Sequence, residues 1–295
     1  MRKFTAILAI LAAFSSLNAF DIHVNYDYDT NGFFDLSKKA VIDQVVSDVE
    51  SRLSYSATDV IPGGTNTWTW RFEDPSSSGA DISIFNPLYT GGSFNLYVGA
   101  KSQGSSTLGF GGNVGLSGSG NSAFISNILD KNSATQYDPY AGFLSMNSDT
   151  SWYVNAAFDA GAASGLYDLY SVFAHELLHA MGFGLTGAQI WNNNQTNGVY
   201  SSANVSSKSL NANNDHWASG TESEYWDGSA WATQEAAMDP NISTGTRKYI
   251  TELDYAVFSD YGFDVSSPVP EPSTYASLAG LLALFSVASK RRSIR

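Results

Sequence analysis

The sequence predicts an α+β fold, and three stretches carry the prediction. Phe20 to Tyr26 alternates apolar and polar residues, the period of a half-buried strand. Leu36, Ala40, Val41, Val45, Val49 and Leu53 recur at helical spacing behind Asp35, a good capping residue. Residues 172–184 read V-F-A-H-E-L-L-H-A-M-G-F-G, a second helix. Asp168 can cap its start, and Gly182 can end it in the left-handed conformation.

The remaining elements follow in order. Asp27 to Gly32 resembles the opening of a calcium loop, but the twelfth position is Lys38 where glutamate is needed, so it reads as a turn. The first helix runs to about Leu53. Pro62-Gly63-Gly64 is a turn, and Thr67 to Phe72 and Asn95 to Ala100 are strands. Gly104 to Gly120 is rich in glycine and serine and lacks the Gly-Lys-Ser/Thr ending of a phosphate loop. It reads as a surface loop or a glycine-rich hairpin. Gly142 to Asn147 and Trp152 to Phe158 are further strands. Residues 191–214 form a polar, asparagine-rich insert without a clear period. Trp226 and Trp231 line either a cleft or the core, with the core favoured because tryptophan is usually well buried. Thr251 caps a last helix, with Asp254 three residues on and Gly262 at its end.

The motif helix carries the chemistry. His175-Glu176-Leu177-Leu178-His179 is H-E-x-x-H. Residues i and i+4 share one helix face, so two imidazoles can reach one metal ion with a glutamate beside it as general base. Catalytic zinc takes three protein ligands and keeps one position open. The chain has four histidines: His23, His175, His179 and His216. His23 falls on the outward face of the first strand. His216 is the natural third ligand, and Asp215 is the competing carboxylate.

A family resemblance rests on these residues. His175 to Gly182 matches the first eight positions of the metzincin motif H-E-x-x-H-x-x-G-x-x-H, but the final position holds Leu185. In this the chain resembles leishmanolysin-like metzincins, whose third histidine comes after a long insert in a later His-Trp, here His216-Trp217. Ala237-Met238-Asp239-Pro240 resembles the methionine turn of these enzymes, and Thr246 to Val265 resembles their closing helix. Phe20 to Val265 as a whole resembles a bacterial group of exported metalloproteases that end in a PEP-CTERM sorting tail.

The resemblance implies a catalytic domain over 20–266. Its upper half, about 20–184, would hold a twisted mixed sheet and the active-site helix. Its smaller lower half, about 185–266, would be mostly irregular or helical and carry the methionine turn. It implies that His175, His179 and His216 hold Zn2+, that Glu176 is the general base, and that Met238 forms an apolar floor. The strand at 142–147 would pair with the backbone of a protein or peptide substrate. Asp239 would support a ligand, and Tyr249 and Tyr255 are the candidates for oxyanion stabilisation.

The two ends read as processing signals. Arg2 and Lys3 precede an apolar run and Leu17-Asn18-Ala19, the layout of a signal peptide over 1–19. At 267–295, Val269-Pro270-Glu271-Pro272 precedes an apolar run and Lys290, Arg291, Arg292 and Arg295. The run is short for a bilayer span. The resemblance implies an exosortase-type processing enzyme as partner and only a transient membrane contact, with a permanent anchor as the alternative. The expected destination is the surface or extracellular matrix of a Gram-negative bacterium.

Composition narrows the field. The 295 residues suffice for a large core, and 14% are aromatic, which excludes a disordered composition. The absence of cysteine excludes disulfides, a thiolate zinc site and a cysteine nucleophile. The net charge of −13 becomes −18 once the six basic residues and one glutamate of the two ends are set aside. So acidic a chain excludes nucleic acid as a natural partner. No carboxylate pair for glycoside hydrolysis stands out. The expectation is therefore an exported zinc endopeptidase; the alternative is a non-catalytic, zinc-containing surface or exopolysaccharide-matrix protein.

Overall fold

Four strands assemble around the buried middle of the chain. The computed structural model describes residues 20–157 and 161–268. The expected export signal at 1–19, the sorting tail from Val269 and Phe158 lie outside the described residues. In order, the elements are β1 (Asp21–Asn25), α1 (Leu36–Arg52), β2 (Leu53–Ser54), β3 (Thr67–Glu73), β4 (Asp81–Phe85) and β5 (Ser93–Lys101). Next come β6 (Gly109–Asn113), β7 (Gly115–Ser119), α2 (Ser122–Leu129), β8 (Ala141–Asn147), β9 (Trp152–Tyr153), β10 (Tyr167–Asp168) and α3 (Leu169–Ala180). The described residues end with α4 (Gln189–Asn193), β11 (Gln195–Thr196), β12 (Val199–Tyr200), β13 (Lys208–Ser209), β14 (Glu222–Trp226), β15 (Trp231–Glu235), α5 (Glu252–Asp260) and β16 (Asp264–Val265). The fold is α+β, as expected.

The central sheet has the order β1-β5-β8-β6. β1, β5 and β8 are parallel, and β6 is antiparallel to β8. Every residue of β8 is buried, as a strand covered on both faces must be. One face packs Leu96, Val98 and Leu144 against Val45 and Val49 of α1 and Phe173 and Leu177 of α3 in the main core. Alternation turns Tyr97 and Phe143 to the other face. There they join Trp68, Trp70 and Phe72 of β3, the middle strand of a second sheet with the order β4-β3-β7. Phe72 and Tyr97 stack at 4.7 Å between ring centroids.

Several expectations need correction. Gly104 to Gly120 is a loop only over 104–108, and the rest is not a hairpin: β6 closes the central sheet and β7 joins the second one. The strand at 142–147 is therefore interior, and the edge is β6. The strand expected over 152–158 shrinks to Trp152–Tyr153. On α1 the buried stripe is Val41, Ile42, Val45, Val46 and Val49. Leu36 is 88% exposed, because it lies about 180° around the helix from Val45. Trp226 and Trp231 are not core residues. They face each other across the β14–β15 hairpin next to its turn and pack edge-on at 5.6 Å, which leaves Trp231 43% exposed. The insert at 191–214 is ordered into a short helix and a three-stranded meander, β11-β12-β13. Among the described residues, no helix is long and apolar enough to cross a membrane.

Candidate metal centre

α3 begins where the sequence places it. The Asp168 carboxylate accepts from the Ser171 N–H at 3.0 Å and the Ser171 hydroxyl at 2.6 Å, and the Arg247 guanidinium forks onto its two oxygens at 2.7 and 3.0 Å. The helix ends before Gly182, which adopts φ +114°. One face of α3 carries His175 and His179, one turn apart.

Glycines let the sheet edge lie on this helix. A Cβ at Gly111 would sit 2.1 Å from the Glu176 carbonyl oxygen, and one at Gly109 would sit 2.9 Å from Glu176 Cγ. β6 therefore passes directly over the motif glutamate. Glu176 is buried, and burial pushes its carboxyl up to about 8, with the Gly111 N–H pulling it back.

The third histidine arrives by another route. Phe183, Trp191, Tyr200 and Trp217 form a buried aromatic cluster: Trp191 lies 4.7 Å from both Phe183 and Tyr200, and Phe183 lies 5.1 Å from Trp217. The Trp191 indole N–H also donates to Asn214 O at 3.1 Å. The Asn211 side-chain oxygen accepts from the N–H groups of Asp215 and His216 at 3.1 and 3.3 Å. These contacts land His216 against α3.

His216 Nε2 lies 3.0 Å from His175 Nε2 and 3.0 Å from His179 Nε2. The other ring nitrogen of each histidine is already committed. His175 Nδ1 faces Ala237 O at 2.7 Å, His179 Nδ1 faces Phe183 O at 2.8 Å, and His216 Nδ1 faces Asp215 Oδ1 at 2.6 Å. Carbonyl and carboxylate oxygens only accept, so each Nδ1 carries the proton and donates it. In the neutral ring each Nε2 then presents a bare lone pair, and the three converge on one point. A cation satisfies that arrangement. Tetrahedral zinc bound at about 2.0–2.1 Å sets neighbouring nitrogens about 3.3 Å apart, so the two 3.0 Å separations need only a slight opening. The triad can hold a metal ion.

Electrostatics agrees. Burial, followed by the neighbouring histidines, holds His175 well below its ordinary value, and burial with His216 holds His179 down to about 4. Both are neutral and ready to ligate at neutral pH. Burial raises Asp215, but hydrogen bonds from His216 and Asn211 more than offset it, leaving the carboxyl below its ordinary value.

The predicted site residues His175, Glu176, His179 and His216 come together, and His23 lies apart on β1 beside Asp21. Asp215 faces His216 Nδ1 and stands outside the histidine cluster. Asp239 supports no histidine. It accepts from the N–H groups of Gly220 and Asn241 at 2.7 and 2.9 Å and lies 3.4 Å from Lys248 Nζ. Tyr255 is buried on α5 against Asp48, and Tyr249 stacks on Tyr225, so neither lines the cleft. Met238 is fully buried next to Ala237, the anchor of His175. The centre opens into a cleft of ≈ 630 Å³, bounded by Leu108–Gly111 on one side and Pro240–Ile242 on another, with Tyr167 and Asn213 in its walls. Sequence reasoning missed β6, Tyr167 and Asn213. No protein-family model matches the chain, and no curated protein matches it in sequence.

Proposed function

We propose that this chain is an exported, zinc-dependent endopeptidase of metzincin type, with His175, His179 and His216 as ligands and Glu176 as general base. The observation that carries the reading is the convergence of three Nε2 atoms, each on a ring whose Nδ1 faces an oxygen acceptor, beside a buried carboxylate. The antiparallel edge strand over the motif helix, the later His-Trp and the buried Met238 after Ala237 support the metzincin assignment. The export and sorting roles of the two ends, with an exosortase-type enzyme acting on the tail and only brief membrane contact, belong to the same reading.

His175, His179 and His216 would hold the zinc, whose Lewis acidity would polarise the scissile carbonyl and acidify water. β6 is the edge strand of the central sheet beside Glu176, and β-strand addition of an extended peptide there would align it over that carboxylate. Glu176 takes the proton from the attacking water as its oxygen reaches the carbonyl carbon, then passes it to the leaving amine. The three Nδ1 hydrogen bonds hold the imidazoles in the tautomer and orientation that ligation needs. A structural zinc site is usually closed by a fourth protein ligand. Among the described residues, no fourth side chain joins the histidine cluster.

Zinc content and casein cleavage test the reading. The parent should carry about one zinc per chain and cleave casein. Glu176→Ala should keep the metal and lose turnover, and His216→Ala should lose most of both. A parent that binds zinc but cleaves nothing across a broad peptide library favours a non-catalytic matrix protein. Full zinc and activity in His216→Ala removes the third-ligand assignment.

A further inference from the structure

Asp254 is a carboxylate buried to 0% exposure on α5 that receives five hydrogen bonds. Its Oδ2 accepts from the Thr251 N–H at 2.9 Å and the Thr251 hydroxyl at 2.8 Å. Those two bonds cap the helix and were expected from the sequence. The other three do not serve the helix. Oδ2 also accepts from the Ala237 N–H at 2.9 Å, and Oδ1 accepts from the Met238 N–H at 3.2 Å and the Trp217 indole N–H at 2.9 Å. They reach back 16, 17 and 37 residues, to the two segments that present ligands or their anchors.

One link ends on the residue after His216, and the other two end on the anchor of His175 and the residue after it. Trp217 follows His216 directly, and its own N–H donates to Met238 O at 3.1 Å. Ala237 presents the carbonyl that fixes His175 Nδ1. His179, in contrast, is anchored on Phe183 at the end of its own helix. One carboxylate therefore sets the position of one ligand segment and of the anchor of another.

We propose that Asp254 is the positioning residue of the metal centre, and that tight retention of the metal depends on its links to Trp217, Ala237 and Met238. The proposal rests on reading the histidine cluster as a metal site. The chemistry needs a carboxylate. An asparagine offers one oxygen and two N–H donors, so one of the two donor groups would face another donor. A buried donor left unmatched is costly, and the segments would move to relieve it.

The test uses the full-length protein, with Zn2+ titrated in competition with a chromophoric chelator, release rates under excess chelator, and far-UV circular dichroism as the check on folding. Asp254→Asn should keep the parent spectrum, bind zinc ten- to a hundredfold more weakly, in line with other outer-shell partners of metal ligands, and release it faster. Trp217→Phe removes one link and keeps an aromatic ring in the cluster, so zinc should bind several-fold more weakly. Thr251→Val removes the hydroxyl bonds at the start of α5 and leaves the three links to Trp217, Ala237 and Met238, so the melting temperature should fall with zinc affinity unchanged. A folded Asp254→Asn with parental affinity overturns the proposal. If Asp254→Asn does not fold, the other pair decides: affinity unchanged in Trp217→Phe, or lowered as much in Thr251→Val, reduces Asp254 to a helix cap. A parent that binds no zinc sinks the reading of the cluster itself, and the proposal with it.

Discussion

The two halves of the candidate metal centre are built on different principles. His175, Glu176 and His179 ride on α3, where helical spacing alone puts them on one face, and the two histidines need only main-chain carbonyls, Ala237 O and Phe183 O, to fix their rings. His216 rides on an irregular loop. Its ring is fixed by the Asp215 side chain, its backbone by the Asn211 side chain, and its approach by Trp191 and Trp217. The loop even holds Asn214 at φ +60°, a conformation that asparagine tolerates better than most residues. Regular backbone supplies geometry through hydrogen bonds common to every residue. Irregular backbone must obtain it from particular side chains. The loop half should therefore be the more fragile to substitution.

The seam between the halves gives the largest expected effect. Gly184 joins the end of α3 to the insert at φ +73°, and a Cβ there would lie 2.1 Å from Asp215 O. Gly184→Ala combines a left-handed backbone with a clash against main chain, for a cost of about 3 kcal/mol in urea unfolding. It should also weaken zinc, because Asp215 cannot retreat without His216. A stability within 1 kcal/mol of the parent, by the ordinary scale of surface changes, would show that the loop floats free of the helix. Asp215→Ala is the milder probe of the same half. Loss of an outer-shell partner typically costs about ten- to a hundredfold in metal affinity. The Asp215 side chain is 37% exposed, so the metal-free melting curve should hardly move. Equal losses in metal affinity and metal-free stability would make Asp215 a fold residue and erase the contrast between the halves.

What could be read from the sequence follows the same division. The helix pair, the Asp168 cap and the Thr251–Asp254 cap were legible because each depends on spacing within one element. His216 was legible by count, since only four histidines exist. β6 was not: Gly109, Gly111 and Gly112 have no side chains to alternate, and their reason for being glycine is the approach of Glu176 and Phe143. The partner role of Asp215 and the idleness of Asp239 toward the histidines depend on where a loop ends in space, which no local pattern encodes. Trp226 and Trp231 misled because they satisfy each other across a hairpin instead of filling the core. The turn of α1 that exposes Leu36 is set by the sheet it meets, which periodicity alone does not reveal.

The helix half makes its own prediction, smaller in size and carried by proton binding. In the metal-free protein burial lifts Glu176 from 4.5 to about 8. Between those values the folded state holds a proton that the unfolded chain has released, so stability falls as pH rises through the window. At pH 6.5 the depressed His175 and His179 are uncharged when folded and about half charged when unfolded, so they give a slope of the opposite sign, which the parent shares with Glu176→Gln and which cancels between them. From pH 6.5 to 8 the parent should thus lose roughly 1.5 kcal/mol relative to Glu176→Gln, which cannot ionise. Denaturant midpoints of both proteins, taken with a chelator present, measure the difference. Adding zinc should shrink it, because a neighbouring cation favours the carboxylate and works against burial. Parallel curves without metal would mean that water reaches Glu176 beneath β6, and that the helix half is as open as the loop half.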